Sequence, residues 1–278
     1  MILIAESGST KTDWRLLCSD GEVKSFHTIG FNPYYIGKDK IFEELSKSEL
    51  VDFKTSVKQV YFYGAGCSSS ENCQIVSNAL ATFFIQSKIE VSSDMLAAAR
   101  ATCGNEKGIV AILGTGSNSC LYNGKEIIEN VSSLGYILGD YGSGADIGKQ
   151  LITAFLENEL PQELHEAFDN EYGFSAQNII NSIYKEALPN RFLASFNLFV
   201  AKHIEHSYCQ NIVKNRINLF IEKNILKYSD YQIINLCYVG SIAAVYETII
   251  RAEASKRNIK IGKIIKAPID ELVTYHMD

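Results

Sequence analysis

The sequence begins the same structural plan twice, and this repeat limits the folds open to the chain. The first copy has an apolar strand, a turn rich in Gly, Ser and Thr, a second strand and a Gly-containing hairpin before a third strand (Met1 to Ala5, 6–13, Trp14 to Cys18, 19–22). The second copy has these elements in the same order (109–113, 114–118, 119–122, 123–124, 126–131). Matching elements at matching offsets predict an internal duplication, with a chance likeness of two β-meanders as the alternative.

Each meander is followed by a different arrangement. After the first, helical and strand patterns alternate, which favours parallel pairing and an α/β fold (helix 39–50, strand 59–63, helix 72–86, strand 89–92). After the second, a stretch of helical period at about 150–230 predicts an inserted helical subdomain with breaks at Pro161 and Pro189. Strand 233–239, a Gly240-Ser241 turn, helix 242–257, strand 263–267 and a closing helical segment complete this half. We predict lobes at 1–105 and 106–278, with the final helix packing back on the first lobe.

Composition excludes several classes of function. A formal charge of −6 argues against a nucleic-acid partner, because phosphate-backbone affinity depends on clustered Lys and Arg. No run approaches the roughly 20 apolar residues of a membrane span, and the apolar start stops at Glu6, too early for a signal peptide. Seven cysteines without a CxxC pair suit a reducing compartment. We therefore expect a cytoplasmic protein that acts on small molecules.

The two polar turns are the strongest candidates for binding an anion. In the first, Ser7, Gly8, Ser9, Thr10, Lys11 and Thr12 follow Glu6, and their small side chains let backbone N–H groups and hydroxyls approach phosphate oxygens. The second, with Gly114, Thr115, Gly116, Ser117 and Asn118, offers the same chemistry. The first turn is neither a P-loop nor a dinucleotide fingerprint, since the required glycine spacing is absent and a strand rather than a helix follows it. An ordinary hairpin turn is the alternative for the first.

Three further residues are candidates for acid–base or polar recognition. Asp94 follows a short strand and begins an alanine-rich helix, so it is either a general base or a plain helix cap. Asp140 lies in the densest glycine cluster of the chain, 135–144, where it either faces a site or bonds its own backbone. Asn32 precedes Pro33, a context for hydroxyl recognition or for a common turn.

Together these motifs resemble the N-acetylglucosamine kinase and BadF/BadG/BcrA/BcrD-type ATPase group of the actin-like ATPase superfamily. The resemblance covers nearly the whole chain and implies a ribonuclease H-like fold in two duplicated lobes with a cleft between them. It implies Mg²⁺ and ATP as cofactors, a sugar or amino sugar as the small-molecule substrate, and a homodimer. By resemblance the two turns bind phosphates, and Gly240 and Ser241 contact the nucleotide. Asp94 is catalytic, Asn32, Asn118 and Asp140 bind sugar, and Glu6 and Asp140 organise the metal, Asp140 through water.

Three positions depart from the pattern of that group. Glu6 replaces an aspartate, Leu134 replaces a tryptophan near the sugar, and Tyr141 replaces an acidic residue. The longer Glu6 side chain shifts the metal, and the missing indole removes a stacking surface. Two alternatives to a kinase remain at this stage. One is an ATPase activator of a radical dehydratase or reductase with a cysteine-bound iron–sulfur cluster, and the other is a nucleotide- or sugar-binding protein without turnover.

Overall fold

The computed structural model describes residues 1–277, which divide into two compact units. Unit 1 comprises Met1–Glu106, the hairpin tip Gly124–Glu126 and the segment from Ala267. Unit 2 comprises Lys107–Asn123 and Ile127–Lys266. No helix within residues 1–277 is long and apolar enough to cross a membrane. None of the seven cysteines, all of which lie in this part of the chain, forms a disulfide bond.

Unit 1 contains one sheet and its covering helices. Its strands are β1 (Ile2–Ser7), β2 (Lys11–Leu17), β3 (Val23–Ile29), β4 (Gln59–Gly64) and β5 (Lys88–Ser93). Its helices are α1 (Lys38–Lys47), α2 (Ser70–Phe83), α3 (Asp94–Cys103) and α13 (Ile269–Met277), with a 3₁₀ turn at Glu49–Phe53. The strand order is β3-β2-β1-β4-β5, antiparallel across β1, β2 and β3 and parallel across β1, β4 and β5.

The burial of unit 1 follows from its residue pattern. Strand β1 is apolar and buried at Leu3, Ile4 and Ala5, whereas β3 alternates exposed and half-buried residues, as expected of an edge strand. Trp14 lies 6.0 Å, centroid to centroid, from both Phe31 and Phe62 in the centre of this core. Helix α13 packs against α3, β1 and β2, although it follows unit 2 in the sequence.

Unit 2 repeats the sheet and adds helices. Its strands are β6 (Lys107–Leu113), β7 (Ser117–Asn123), β8 (Ile127–Val131), β9 (Leu236–Val239) and β10 (Ile261–Ile265). Its helices are α4 (Gly135–Leu138), α5 (Gly144–Leu156), α6 (Gln162–Tyr172), α7 (Ala176–Tyr184), α8 (Pro189–Ser195), α9 (Asn197–Lys202), α10 (Ser207–Lys223), α11 (Ser241–Val245) and α12 (Glu247–Ser255), with a 3₁₀ turn at Ile225–Lys227.

The strand order of unit 2, β10-β9-β6-β7-β8, is the order of unit 1 read in reverse, with the same pattern of directions. The predicted duplication is therefore confirmed at the level of strand topology, and the α/β fold class with it. Helices α5 to α10 lie between β8 and β9 in sequence, which agrees with the predicted helical insertion. Phe168 in α6 contacts Phe155, Phe196 and Phe199, and these rings join the insertion to the core of unit 2.

Several element boundaries differ from the sequence prediction. The helix predicted at 39–50 ends at Lys47, because Ser48 is extended and a 3₁₀ turn follows. The helix predicted at 242–257 is interrupted at Tyr246. The glycine-rich segment 135–144, predicted as a loop, includes the one-turn helix α4. The strand predicted at 233–239 begins only at Leu236.

Candidate functional site

The first polar turn is shorter than the sequence suggested, because the β1–β2 ladder extends into it. Only Gly8, Ser9 and Thr10 lie between the two strands. The Gly8 N–H donates to the Lys11 carbonyl at 3.0 Å, which closes the turn. Ser9, Thr10 and Lys11 are exposed. These three residues therefore present the atoms that a bound anion could reach.

Ser7 and Thr12 flank this turn and are fully buried. Their hydroxyls lie 2.8 Å apart, the Ser7 hydroxyl accepts the Phe31 N–H at 2.9 Å, and the Thr12 hydroxyl donates to the Ile29 carbonyl at 2.9 Å. The two hydroxyls thus hold the turn to the last residue of β3 and to the segment that follows it. Their phosphate contacts stay a prediction, and their observed bonds are internal.

Gly30 and Asn32 also hold the first turn. A Cβ at Gly30 would lie 2.3 Å from the Gly8 carbonyl oxygen and 2.7 Å from the Thr10 nitrogen, so only glycine fits. The Asn32 side chain donates to the Ser9 hydroxyl at 2.8 Å and accepts the Tyr34 N–H at 3.0 Å. Asn32 is 6% exposed. The structure therefore brings Asn32 and the turn together.

Carboxylates gather at the end of the unit 1 sheet. Glu6 pairs in register with Asp13 across β1 and β2. Burial, and next the negative charges of Asp94 and Asp13, raise the pKa of Glu6 to about 7, against a smaller lowering by Lys11. The Glu6 carboxyl therefore holds its proton more strongly than an ordinary glutamate does.

Asp13 is a member of this cluster that sequence reasoning missed. It is 7% exposed and binds the Lys11 ammonium at 2.9 Å and the His27 Nδ1 at 2.7 Å. The signal was present in the pattern Lys11-x-Asp13, since alternate residues of a strand share a face. Asp13 positions the Lys11 side chain beside the first turn.

Asp94 occupies the first turn of α3, and the helix cap is its neighbour Ser93. The Ser93 hydroxyl accepts the Leu96 N–H at 3.3 Å, which is the bond of an N-cap residue. One oxygen of Asp94 accepts the Met95 N–H at 2.8 Å. Burial raises the pKa of Asp94 to about 6, and backbone hydrogen bonds oppose this rise. Ser93 is therefore the N-cap residue of α3, and Asp94 accepts an N–H group within its first turn.

The second polar turn also contains three residues between strands, Gly114, Thr115 and Gly116. The Gly114 N–H donates to the Gly116 carbonyl at 3.0 Å, while the Gly114 and Thr115 carbonyls accept the N–H groups of Gly144 and Ala145 at 2.8 and 3.1 Å. The first residues of α5 thus hold this turn in place through backbone hydrogen bonds. Thr115 is its exposed residue.

Gly240 and Ser241 lie beside the second turn. Gly240 has φ of +127°, and a Cβ there would lie 2.2 Å from the Leu113 carbonyl oxygen. Its N–H donates to the Ile265 carbonyl at 2.9 Å, and Ser241 begins α11 with an exposed side chain. The structure therefore brings together these two predicted nucleotide contacts and the second turn.

Asp140 contacts the second turn directly. It accepts the Ser117 N–H and the Ser133 hydroxyl, the latter at 3.1 Å, and its φ of 49° is unusual for a residue with a side chain. Burial raises the pKa of Asp140 above its usual range. Ser133 was not predicted, and nothing in its local sequence marks it. Asn118 is oriented differently, since its side-chain oxygen accepts the Ser119 N–H at 2.9 Å and the Asn130 amide at 3.2 Å.

A buried ion pair holds the segment after Asp140. Asp146 is 3% exposed, accepts the Gly142 N–H at 3.0 Å and binds the Arg216 guanidinium at 2.8 Å. Ser143 caps α5 by accepting the Asp146 N–H at 3.1 Å. This pair positions the glycine-rich segment from α10, which lies far away in sequence.

Comparison with known proteins shows which protein family the chain belongs to. No model of a protein family and no curated protein matches it. Among solved structures, a candidate N-acetylglucosamine kinase from Porphyromonas gingivalis is 41% identical, with a TM-score of 0.94 over 99% of this chain and 98% of that one. The chain belongs to the actin-like sugar kinase family. Because the match extends over nearly the full length of both chains, the similarity includes both units of this protein.

More distant members of the sugar kinase group share the fold alone. A candidate N-acetylglucosamine kinase from Chromobacterium violaceum is 15% identical, with a TM-score of 0.75 over 99% of this chain and 98% of that one. A ROK family glucokinase from Streptomyces griseus, solved with glucose and AMPPNP, is 13% identical, with a TM-score of 0.60 over 99% of this chain and 97% of that one.

Proposed function

We propose that this protein transfers the γ-phosphoryl group of ATP to a hydroxyl of a sugar, with N-acetylglucosamine as the acceptor of first choice. Support comes from the 41% identical relative, which is described as a candidate N-acetylglucosamine kinase. The glucokinase solved with glucose and AMPPNP supports a sugar and a nucleotide as the two ligands of this fold. One observation carries the proposal: Asp94, a carboxyl with a raised pKa that is not used as the helix cap.

Asp94 would act as the general base. A carboxylate with a pKa of about 6 is ionised near neutral pH and is a stronger base than an ordinary aspartate. The Met95 N–H donates to one of its oxygens, and the carboxylate would accept the proton of the sugar hydroxyl. The deprotonated oxygen then attacks the γ-phosphorus in line with the departing ADP.

The two polar turns would position the phosphates. Each presents small residues and exposed hydroxyls, at Ser9 and Thr10 in one and Thr115 in the other. Buried contacts hold both turns in place before any ligand binds, so little conformational entropy is lost on binding. The Lys11 ammonium, held by Asp13, adds a positive charge beside the first turn.

The acidic residues fit a magnesium ion. Burial, and next the negative charges of Asp94 and Asp13, raise the pKa of Glu6, and a divalent cation would relieve the repulsion among these carboxylates. Their ligand atoms are oxygens, which Mg²⁺ prefers. Glu6 would hold the ion. When bound, Mg²⁺ neutralises phosphate charge during transfer.

The acceptor would be recognised by polar side chains that the fold already orients. Asn32 and Asp140 each make two internal hydrogen bonds and retain further capacity for sugar hydroxyls. Leu134 is 57% exposed, lines the same cavity of unit 2 as Asp140, and offers an apolar contact without the stacking surface of an indole. We therefore infer weaker discrimination among amino sugars than a tryptophan would give.

An activator role with an iron–sulfur cluster is not favoured. Such a cluster needs cysteine thiolates. Burial raises the pKa of the Cys67 thiol to about 12, and Cys73 donates its S–H to the Cys67 carbonyl at 3.4 Å. The two neighbouring cysteines are therefore protonated members of the protein interior.

ADP release tests the proposed function. Purified protein with Mg²⁺ and ATP is assayed against N-acetylglucosamine, glucosamine, glucose and N-acetylmannosamine. Asp94→Asn should lower kcat by about 10²- to 10⁴-fold, whereas Asp52→Asn, at an exposed aspartate of the same unit, should leave it unchanged. Sugar-dependent ADP release that is equal in wild type and Asp94→Asn would remove Asp94 from this role. Nucleotide binding without ADP release for any sugar would instead identify a binding protein.

A further inference from the structure

The cavity of unit 2 that Leu134 and Asp140 line extends to the end of α10. Lys223, Asn224 and Lys227 complete this part of its lining. The cavity encloses about 120 Å³, which is roughly the volume of four water molecules. This space suits a small substituent of a ligand rather than a second sugar ring.

Asn224 presents a polar side chain to the cavity without a partner. The residue is 8% exposed, and its backbone N–H donates to the Phe220 carbonyl at 2.9 Å. Among residues 1–277, none forms a hydrogen bond with its side-chain amide. A buried amide has two N–H donors and an acceptor oxygen, and such groups are nearly always hydrogen-bonded in proteins. The Asn224 amide is therefore available to a ligand with polar atoms.

Two ammonium groups line the same end of the cavity. Lys223 and Lys227 are exposed. In the part of the chain that the structure describes, neither forms an ion pair with a carboxylate. The acidic residues closest to them in sequence, Glu222 and Asp230, bind other basic residues at 3.2 and 3.1 Å. Two positive charges therefore lack a counter-charge here, although the whole chain has a formal charge of −6.

The two ends of the cavity select different chemical groups. Asp140 already accepts two hydrogen bonds, and its remaining lone pairs suit the hydroxyls of a sugar. Lys223 and Lys227 suit an anion. A free anion would be repelled by Asp140, and a neutral sugar would leave the amide of Asn224 and both ammonium groups without partners. A sugar that carries an anionic substituent matches both ends.

The same balance of charges favours a carboxylate over a phosphate as this substituent. A phosphate ester carries about −1.5 to −2 charges at pH 7, and Asp140 repels these more strongly than the single charge of a carboxylate. The two oxygens of a carboxylate can accept hydrogen bonds from both ammonium groups and from the Asn224 amide together.

We propose that this cavity extends the acceptor range of the site to amino sugars with a carboxylate substituent, which Lys223, Asn224 and Lys227 bind. The inference rests on the proposed function, because it names a further substrate class for the same site. The hydroxyls of the sugar face Asp140, and the carboxylate gives the Asn224 amide the partner that the fold does not provide.

Two sugars that differ only in this substituent test the proposal. They are N-acetylglucosamine and N-acetylmuramic acid, which adds a carboxylate on a short ether chain, and calorimetric titration with Mg²⁺ and ADP present measures their binding. Lys223→Met and Lys227→Met should each weaken binding of the acid by at least about 10-fold, because a hydrogen bond to a charged group is lost. Binding of the neutral sugar should not change. Lys185→Met, at an exposed lysine of unit 2 outside the cavity, is the matched control.

Two results of this titration would overturn the proposal. One is a wild type that does not bind N-acetylmuramic acid. The other is an equal change in affinity for the two sugars in the variants of Lys223 and Lys227.

Asn224→Asp tests the cavity by reversing its preference for charge. The substitution keeps the shape of the side chain and places a negative charge beside the bound carboxylate. Binding of N-acetylmuramic acid should weaken by at least about 10-fold, because like charges repel at an interface, while N-acetylglucosamine binds as before. Circular dichroism confirms that the variant folds. Unchanged binding of the acid would contradict the proposal.

ADP release distinguishes failure of this inference from failure of the proposed function. If N-acetylglucosamine stimulates ADP release but the acid binds without dependence on Lys223 and Lys227, the kinase stands and the carboxylate site is refuted. If the acid binds through these lysines but neither sugar stimulates ADP release, the carboxylate site stands and the kinase is refuted.

Discussion

His276 makes the stability of unit 1 depend on pH through the docking of α13. Its Nε2 lies 2.8 Å from the Tyr63 hydroxyl, and its ring stacks on Tyr61 at a centroid distance of 3.7 Å. Tyr63 also accepts a hydrogen bond from Arg100, whose guanidinium binds Glu90 at 3.2 Å and lies over Tyr275. Burial, and next the charge of Arg100, lower the pKa of His276 from 6.5 to about 4.

The sign and size of the effect follow from this lowered pKa. In the unfolded chain His276 gains a proton as the pH falls through about 6.5, whereas in the fold it stays neutral until about pH 4. The stabilisation of the fold by neutral His276 is therefore complete above pH 6.5, and it is lost as the pH falls from 6.5 to about 4. At pH 5 the lowered pKa corresponds to about 2 kcal/mol. The ring is partly exposed, so solvent screening reduces our expectation to about 1 kcal/mol.

Urea unfolding at pH 7.5 and pH 5, followed by the fluorescence of Trp14 in unit 1, measures this loss. His276→Phe keeps an aromatic ring against Tyr61 but cannot take up a proton. Its free energy of unfolding should fall by about 1 kcal/mol less than that of wild type between the two pH values. All other titrating groups are common to both proteins and cancel in the difference. Equal losses for the two proteins would refute the role assigned to His276.

Three more predictions concern the candidate site. Arg216→Met leaves the buried Asp146 without its ion pair and should lower the free energy of unfolding by about 3 kcal/mol. Urea unfolding followed by circular dichroism measures this loss. A loss below about 0.5 kcal/mol would contradict the expectation and would show that Lys149 compensates for Arg216. Gly30→Ala forces the first turn apart and should raise KM for ATP while Gly37→Ala, at a position with open space, does not. Leu134→Trp supplies the missing stacking surface and should lower KM for N-acetylglucosamine more than for glucose; equal changes for the two sugars would place Leu134 away from the N-acetyl group.

The fold was predictable because its signals are local. Each lobe begins with a buried apolar run followed by a polar turn, and such runs determine both the strand and the face that it buries. The duplication then predicts that the two sheets share one strand order. The lengths of the turns were not predictable, because Lys11, Thr12, Ser117 and Asn118 are polar residues that nevertheless join the ladders. Pairing with a neighbouring strand outweighed their local preference.

The contacts that support the candidate site required the tertiary structure. Arg216 lies 70 residues from Asp146, and no local pattern connects them. Ser93 and Asp94 are both good N-cap residues, so the sequence could not decide which of them caps α3. Buried hydroxyls such as those of Ser7 and Thr12 resemble exposed ones in a sequence. Phosphate-binding and structural serines therefore become distinguishable only when their hydrogen bonds are known.

The interrupted course of unit 1 through the sequence has a consequence for biosynthesis. Its sheet is complete once β5 has been made, yet the helix that covers β1 and β2 follows the whole of unit 2. A ribosome therefore releases the sheet of unit 1 long before α13 can dock and bury Leu272 and Val273. During that interval one apolar surface of the nascent chain has no cover. Synthesis speed and chaperone access should matter more for unit 1 than for unit 2, which folds from nearly continuous sequence.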